Sequence, residues 1–591
     1  MRPTLPITSF ALLAGLPAST LLAAPTILDV GPRDAFVVLH IPSLADARDT
    51  WQGSSLREFS TDPAIAGWVD SILSENAEGL VNLLDAWEEL TEEIDPPTGS
   101  LGLASALRPI DGGQASVDVG MVDWGDAAED AEDELVEWLE AQEDDGDLTL
   151  RDERFGDLNM WIVEPVEGDD DDDMDWDDDA LDAVTDELNM PWDNGVTTYI
   201  VRVDGVLLAS SDRDALETGV ESLEGRDREV LADEPMIGEA IGWMPDGSTV
   251  QVAVLAGPLL QVGSEDSAGL LPEQDALNIA DALGATEVEW LGIGVSIDPD
   301  DGLARISGHL RLDERRGIFS LLDAGGRAVE ASPLVSGDSS LMSRALVNFD
   351  QMLPLAQQVV AAFPAAERAE AEMGLMQTSA FIAPVLAAIG PEVDVVVDIS
   401  LPHGIDSQQQ VVAIAVKDRD VVANTLGFGA GFVGATPQDF LGAQVFEADG
   451  FPAAAGITDA WLIIGSGDSV RSAIRRLDGD NQADFELAPL QTRAPARASI
   501  FGAEKLDRVV GQSLWSITSW EEATRASIES LGMDWLDPAE MIEAQRESSE
   551  LLAKNAPKPR DLLRHVDEVT FWVAPSADGF DLEYFWHVPQ D

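Results

Sequence analysis

The sequence predicts an α+β fold built from two similar tandem domains, each a mostly antiparallel sheet with helices on one face. Two observations support this prediction. Short apolar strands that read as hairpins alternate with amphipathic helices, and the order of these segments recurs in the second half of the chain. At 591 residues and 45% apolar composition, the chain is also too long for one core and apolar enough for two.

The clearest internal repeat joins residues 203–235 to residues 458–489. Both segments give an apolar strand, a turn rich in Gly, Ser and Asp, an amphipathic helix and an acidic exit. Flanking strands match in the same order on either side, as expected of a duplicated unit. We therefore divide the chain into a first copy, about residues 26–325, and a second copy, about residues 326–591.

The first elements of the first copy follow from hydrophobic periodicity. The segment AFVVLHI predicts a strand, and residues 44–75 are mostly helical in pattern. The segments SLGLASAL and ASVDVGMVDW predict a hairpin. The next segment, DAAEDAEDELVEWLEAQ, predicts a helix because Leu135, Trp138 and Leu139 share one face and acidic residues occupy the other.

The remaining elements of this copy repeat the same scheme. Strands are predicted at Trp161, Val206 and Val250, with a helix starting near Asp212 and another around Ala276. A final hairpin is predicted to turn at residues 301–302, and the second copy has a matching Asp-Gly turn at residues 578–579.

A run of carboxylates, EGDDDDDMDWDDDALD, interrupts this pattern at residues 167–182. Between the strands that the repeat aligns, the first copy holds 31 more residues than the second, and the run falls in that interval. Dense like charge keeps a segment extended and solvated. We therefore predict an acidic loop inserted at about residues 168–196.

The acidic insert is also a candidate for binding hard cations, because carboxylate oxygens are the ligands that Ca²⁺ prefers. The run lacks the alternating ligands, the central glycine and the final glutamate of an EF-hand loop. The prediction is diffuse cation binding, with calcium as the candidate ion. The residues that would take part are Asp169, Asp171, Asp173, Asp175, Asp177 and Asp179.

The N-terminus has the pattern of a secretory signal peptide at residues 1–24. Arg2 precedes an apolar stretch from Phe10 to Leu22, which ends at the small pair Ala23 and Ala24. Elsewhere, the sequence has no run close to the roughly 18 apolar residues of a membrane helix. We expect an exported protein, periplasmic or extracellular, with no integral membrane segment in its mature form.

Charge and composition exclude several classes of function. The net charge of −79 repels nucleic acid and anionic lipid. The absence of cysteine excludes disulfides, thiolate metal sites and a thiol nucleophile. The acidic surface fits either a protein from a salty environment or an ordinary acidic exported protein.

The sequence yields no catalytic residues and no cofactor-binding residues. None of the five histidines has a second histidine at metal-ligand spacing. The segment GAGFVG at residues 429–434 matches the dinucleotide fingerprint, but it follows a helical pattern instead of a strand. Carboxylates are abundant enough for a hydrolase, yet the sequence singles out no pair of them.

The opening segment GPRDAFVVLHIPSLADARDTWQGSSLREFSTDPAIAGWVDSI and the later VDGVLLASSDRDALETGVESL resemble exported bacterial proteins grouped as a domain of unknown function. The resemblance spans most of the first copy and, more loosely, the second. It implies a cell-envelope protein and carries over no catalytic residue.

The expected function is therefore that of an exported, non-enzymatic envelope or periplasmic protein. Its duplicated domain would bind a ligand or an envelope protein, or act as a scaffold. Two alternatives remain open, a carboxylate-dependent hydrolase and a protein of divalent-cation-dependent adhesion or assembly.

Overall fold

The structure is a computed structural model that describes most of the chain. The described residues are 25–68, 94–110, 113–146, 148–166, 196–260, 273–297, 302–323, 325–432, 434–448, 453–479, 485, 487–531 and 538–589. The predicted signal peptide, residues 1–24, lies outside them, as does nearly all of the predicted acidic insert.

The chain forms two compact units. Unit 1 comprises residues Met1–Leu259 and Trp290–Pro299, and unit 2 comprises Leu260–Glu289 and Asp300–Asp591. The strands of unit 1 are β1 (Ala35–Ile41), β2 (Leu101–Ile110), β3 (Gly113–Asp123), β4 (Leu148–Phe155), β5 (Leu158–Pro165), β6 (Thr198–Val203), β7 (Val206–Ser210), β8 (Val250–Leu255) and β9 (Val288–Ile297). Its helices are α1 (Ile27–Val30), α2 (Leu44–Gly53), α3 (Ser55–Ser60), α4 (Ala128–Asp145), α5 (Arg213–Leu223) and α6 (Pro235–Trp243).

The strands of unit 1 pair in the order β9, β8, β1, β2, β3, β7, β6, β5, β4. Every one of these pairings is antiparallel. The hairpin between β4 and β5 turns at Gly156, whose φ of +61° suits glycine. The N-cap of helix α5 is Asp212, whose carboxylate accepts a hydrogen bond from the amide of Ala215 at 2.7 Å.

Helices cover both faces of the unit 1 sheet, which corrects the prediction of helices on one face. Neighbouring residues of β5 show this, because Ile162 belongs to the same core cluster as Leu216 of α5, whereas Val163 belongs to the cluster of Leu139 of α4. Side chains alternate between the faces of a strand. A strand with consecutive apolar residues therefore needs cover on both faces.

The strands of unit 2 are β10 (Gly302–Leu312), β11 (Ser339–Leu346), β12 (Ile389–Ile399), β13 (Gln408–Val416), β14 (Thr436–Phe440), β15 (Ala443–Glu447), β16 (Ala454–Ile457), β17 (Trp461–Gly465), β18 (Ile500–Lys505), β19 (Glu568–Pro575) and β20 (Gly579–His587). Its helices are α7 (Glu273–Leu283), α8 (Met352–Ala362), α9 (Ala365–Ala388), α10 (Arg419–Phe432), α11 (Gly467–Leu477), α12 (Ala488–Arg493), α13 (Leu506–Thr518), α14 (Trp520–Leu531), α15 (Pro538–Ala544), α16 (Arg546–Asn555) and α17 (Pro559–Leu563).

The strands of unit 2 pair in the order β10, β20, β19, β18, β11, β12, β13, β17, β16, β15, β14, again with antiparallel neighbours. From β19 to β14, this order repeats that of unit 1 from β9 to β4. Strand β10, which the sequence assigns to the first copy, lies in unit 2 and pairs with β20. The predicted α+β class with a largely antiparallel sheet is confirmed, and the predicted boundary at residues 325 and 326 stays a prediction.

The unit 2 sheet is also covered on both faces. In β17, Ile463 belongs to the core cluster of Val470 and Ile474 from α11, whereas its neighbour Leu462 belongs to the cluster of Val422 from α10. The N-cap of helix α11 is Ser466, whose hydroxyl accepts a hydrogen bond from the amide of Ser469 at 3.2 Å. Asp398, near the end of β12, and the C-terminal half of α11 border a cleft.

Candidate functional site

A polar cleft of about 280 Å³ opens in unit 2. We call it the unit 2 cleft. Two aspartates and two arginines supply its charges, and the rest of its lining is uncharged and polar. The lining residues are Asp338, Asp398, Arg475 and Arg476, together with Ser400, Ser407, Gln409 and Ser472.

Asp398, near the end of β12, is held from several directions. Its Oδ1 accepts hydrogen bonds from the hydroxyls of Ser336 and Ser339, at 3.2 and 2.6 Å. Its Oδ2 lies 2.5 Å from Nη2 of Arg476, and Nη1 of that arginine donates to the carbonyl oxygen of Leu334 at 2.7 Å. Both charged side chains are nearly buried. The pair is therefore neutralised and fixed within the wall of the cleft.

Asp338, just before β11, is neutralised by a different arginine. Nη1 of Arg508, on α13, lies 2.7 Å from Oδ1 of Asp338 and donates to the carbonyl oxygen of Ile399 at 2.6 Å. Both carboxylates of the cleft therefore already have a guanidinium partner.

Three polar groups of the cleft remain uncommitted. Arg475 makes no ion pair with any described carboxylate, and its guanidinium carbon lies 5.2 Å from the ring centroid of Phe440. The side chains of Ser472 and Gln409 make no hydrogen bond to another described residue. The guanidinium of Arg475 can donate hydrogen bonds to a ligand in the cleft, and the Ser472 hydroxyl and Gln409 amide can both donate and accept them.

Unit 1 has a cleft of its own, of about 410 Å³. We call it the unit 1 cleft. Its arginines are committed: Nη1 of Arg108 lies 3.0 Å from Asp212 and its Nε lies 3.6 Å from Asp34, while Nη1 of Arg33 lies 3.0 Å from Glu229. The lining residues are Pro32, Arg33, Asp34, Arg108, Ala215, Thr218, Glu229 and Glu234.

The two clefts occupy the same place in the strand order of their units. Asp34 immediately precedes β1 and Asp338 immediately precedes β11. Both strands show an irregular register just after their first residue. The first residue of β1 pairs with Ala106, and Arg108 lies two residues further along β2. In the same way, the first residue of β11 pairs with Asp398, and Ser400 lies two residues further along the chain. Corresponding positions therefore line both clefts, with different side chains.

Each cleft is also lined by a residue at the same position of a corresponding helix, α5 in unit 1 and α11 in unit 2. Thr218 lies six residues after the N-cap of α5, and Ser472 lies six residues after the N-cap of α11. Each of these residues lines the cleft of its own unit.

Among the described residues, burial raises the pKa of three carboxyl groups, which bear on the hydrolase alternative. They are Asp123, Glu504 and Asp567, and desolvation is the largest cause in each case. Asp123 lies in unit 1 and the other two lie in unit 2. None of the three lines either cleft. Neither of these two clefts therefore contains a carboxyl group with a raised pKa beside a second carboxyl group, the arrangement that glycoside hydrolysis uses.

Two of the buried histidines make side-chain contacts between neighbouring strands. Nδ1 of His309 on β10 lies 2.6 Å from Oδ1 of Asp581 on β20. Nε2 of His587 lies 2.8 Å from the hydroxyl of Thr570 on the neighbouring strand. His309 and His587 each contact a residue of the adjacent strand, and neither lines a cleft.

The cation ligands predicted from the sequence, Asp169 to Asp179, lie outside the described residues. Over the part of the chain that the structure describes, no group of three or more His, Asp or Glu side chains is arranged to hold a metal ion. Over the same part, the structure contains no helix with both the length and the apolar character needed to span a membrane.

Sequence reasoning missed both clefts. Arg476 and Asp398 lie 78 residues apart, and only the strand pairing brings them together. A weak signal was present, because the internal repeat aligns the helices after Asp212 and Ser466. That alignment identifies corresponding positions but not the side chains that form a cleft.

Comparison with known proteins gives little further guidance. No family model matches the chain, and no curated protein matches it. One solved structure, crystal form I of TP0453, matches with a TM-score of 0.23 and 7% identity, over 45% of this chain and 81% of the other. A likeness at this level carries no argument about fold or function.

Proposed function

We propose that this is an exported, non-enzymatic envelope or periplasmic protein that binds a small polar ligand in the unit 2 cleft. The observation that carries this proposal is the state of the charges in that cleft. Both of its carboxylates are neutralised by fixed arginines, while Arg475, Ser472 and Gln409 remain uncommitted. A cleft whose two carboxylates are held by ion pairs, and three of whose other polar side chains have no hydrogen-bonding partner within the described residues, is suited to binding a ligand.

The proposal includes an origin by duplication, with two similar units in tandem. Three features support it: the shared order of nine strands, the register irregularity at the start of β1 and β11, and the corresponding positions of the two clefts. The two clefts differ in their side chains, since both arginines of the unit 1 cleft form ion pairs with carboxylates of unit 1. We therefore propose that the copies have diverged.

Export is proposed on sequence grounds. The signal-peptide pattern of residues 1–24 and the resemblance to exported bacterial proteins of a domain of unknown function both support it. Expression of the full chain, followed by N-terminal sequencing of the protein recovered from the periplasm and medium, tests this part. Retention of Met1 in the cytoplasm would contradict it.

The hydrolase alternative has less support, because the three carboxyls whose pKa is raised by burial all lie outside both clefts. A hydrolase of this kind needs two carboxyl groups on either side of the scissile bond. In the unit 2 cleft, Asp398 is instead held by an arginine and two serines.

The test of ligand binding uses two matched variants. Ser472→Trp fills the unit 2 cleft, and Thr218→Trp places the same bulk at the corresponding position of the unit 1 cleft. The thermal midpoint of each protein is measured with millimolar glucose, glucuronate, glycine betaine and glutamate. We expect at least one solute to raise the midpoint of the wild type and of Thr218→Trp but not of Ser472→Trp.

An equal response of all three proteins would place any binding outside the unit 2 cleft and refute the proposal. So would the absence of any response to the four solutes. Circular dichroism of both variants, recorded first, establishes that each tryptophan is tolerated, since both replaced residues are half-buried.

A further inference from the structure

Arg475 gives the unit 2 cleft an unbalanced positive charge. Asp398 is paired with Arg476 and Asp338 is paired with Arg508, so these four charges cancel. Arg475 lines the same cleft and has no carboxylate partner among the described residues. In a chain of net charge −79, a cleft with an excess cation attracts anions that the rest of the surface repels.

The corresponding position in unit 1 carries the opposite charge. Arg475 lies nine residues after the N-cap Ser466, and Glu221 lies nine residues after the N-cap Asp212. Glu221 is engaged by two arginines, Arg226 and Arg228. The excess positive charge is therefore particular to the unit 2 cleft and is not a general property of this helix.

The surroundings of Arg475 favour a carboxylate over a phosphate. A guanidinium that packs on an aromatic face, as Arg475 does on Phe440, keeps its edge N–H groups free for a planar, two-oxygen acceptor. Arg475 also lies in the last turn of α11, where the carbonyl ends of the helix carry partial negative charge. That partial negative charge repels a phosphate dianion more strongly than a carboxylate monoanion.

The uncharged part of the lining favours hydroxyl groups on the ligand. Ser472 and Gln409 are free to donate and accept hydrogen bonds, and Ser400 borders the same space. The volume of about 280 Å³ is just below the range of about 300–1,000 Å³ found for drug-sized ligands. The ligand is therefore small, of the size of a single sugar ring.

We propose that the unit 2 cleft binds a small hydroxylated carboxylate, such as a sugar acid, whose carboxylate pairs with the guanidinium of Arg475. This inference rests on the proposed function of the same cleft and specifies its ligand class. The polar side chains of Ser472 and Gln409 hold the hydroxyl groups, and the pairs Asp398–Arg476 and Asp338–Arg508 keep the walls in place.

The test is isothermal titration calorimetry with sodium glucuronate at constant ionic strength. It compares the wild type with Arg475→Gln and with the control Arg471→Gln. Arg471 lies one turn earlier on the same helix, pairs with Glu447 and does not line the cleft. The control therefore removes the same charge from the same helix. We expect the wild type and Arg471→Gln to bind equally, and Arg475→Gln to bind at least about tenfold more weakly.

Two further probes, neutral glucose and inorganic phosphate, separate this inference from the proposed function. If glucose binds as tightly as glucuronate, or if Arg475→Gln binds glucuronate normally, the carboxylate inference fails while a ligand-binding cleft stands. If inorganic phosphate binds at least as tightly as glucuronate, the specificity for carboxylates fails. If neither glucuronate nor glucose binds at millimolar concentration, the inference is overturned, and the solute panel with Ser472→Trp then decides the proposed function separately.

Discussion

The guanidinium of Arg344 on β11 faces the carboxylate of Asp394 on β12 through two parallel hydrogen bonds. Nε lies 2.6 Å from Oδ1 and Nη2 lies 2.8 Å from Oδ2. The two residues are direct cross-strand partners. Only 7% of the arginine side chain and none of the aspartate side chain is exposed. The ion pair is therefore buried in unit 2, where an unpaired charge is costly.

This geometry predicts that the single variant Arg344→Met loses about 3–5 kcal/mol of unfolding free energy, because it leaves Asp394 buried without a counter-charge. The double variant Arg344→Met/Asp394→Val should recover most of that loss, since it removes both charges from the interior. Urea unfolding of the wild type, both single variants and the double variant measures the coupling. A loss below about 1 kcal/mol in the Arg344 variant, typical of an exposed pair, would contradict the buried geometry.

His40 occupies the position in unit 1 that corresponds to Arg344. It lies on the sixth residue of β1, as Arg344 lies on the sixth residue of β11. Nδ1 of His40 lies 3.1 Å from Oε1 of Gln251, and Nε2 contacts no hydrogen-bond partner among the described residues. Burial is the largest influence on this ring and lowers the pKa of His40, outweighing the opposing effects of Gln251 and Asp29.

We therefore predict that His40 makes unit 1 less stable in acid. The unfolded chain takes up a proton as the pH falls through about 6.5, whereas the folded protein resists protonation until the pH reaches the lowered pKa of His40. The unfolding free energy of the wild type should fall over that window. His40→Gln cannot titrate, so its stability relative to the wild type should improve as the pH falls. Urea midpoints at pH 8, 7, 6 and 5 measure the difference, and a constant difference over this range would contradict the prediction.

The sequence predicted the strands and helices of the fold better than it predicted which side chains pair between them. Hydrophobic alternation predicted the strand at Val206 and the helix after Asp212, and the repeat aligned this segment with residues 458–489. These features are local, so they leave a signal in a short window. The partners of Arg344 and Arg476 depend on which strands lie side by side. That choice is made by pairings over 50 residues or more, which no local pattern records.

The sequence predicted helices on only one face of each sheet, and the helices on the other face were missed for a related reason. A sheet with one apolar face gives alternating strands, but β5 carries Ile162 and Val163 in succession. Such a run is compatible with a strand buried on both faces, and also with a short buried helix. The sequence thus identified a strand without showing that α4 and α5 lie on its opposite sides.

Asp123, at the end of β3, gives a prediction of the opposite sign to that of His40. Its Oδ1 accepts a hydrogen bond from the amide of Gly125 at 3.0 Å, and burial raises the pKa of Asp123 despite that bond. The protonated form is therefore favoured by folding. Its contribution to stability is present below the ordinary pKa of 3.8 and is lost as the pH rises through the raised value.

Asp123→Asn keeps an oxygen that can accept from Gly125 and removes the charge. We expect it to stabilise the protein at pH 7, with the advantage shrinking as the pH falls toward 4. Urea unfolding at pH 7, 5 and 4 tests this. Asp118→Asn, a substitution on the same strand at a half-exposed residue, is the control for loss of one negative charge from a chain that carries 112 acidic residues. An equal gain in both variants would mean that net charge, and not burial, determines the effect.

The predicted cation binding by Asp169 to Asp179 depends on whether the interaction is diffuse or coordinated. Diffuse binding follows charge, because any cation that screens a surface of net charge −79 lowers its self-repulsion. A coordinated calcium site would instead respond to Ca²⁺ at micromolar concentration, as sensor sites do. Since the run lacks the ligand frame of an EF-hand loop, we expect the diffuse mode.

The thermal midpoint should therefore rise alike with CaCl₂ and MgCl₂ at matched ionic strength, with no step at micromolar Ca²⁺. A variant lacking residues 168–194 should show a smaller dependence on salt, because it carries fewer carboxylates to screen. A micromolar response to Ca²⁺ that Mg²⁺ does not reproduce, present only in the full chain, would establish a coordinated site. That result would favour calcium-dependent assembly over the screening of a charged loop.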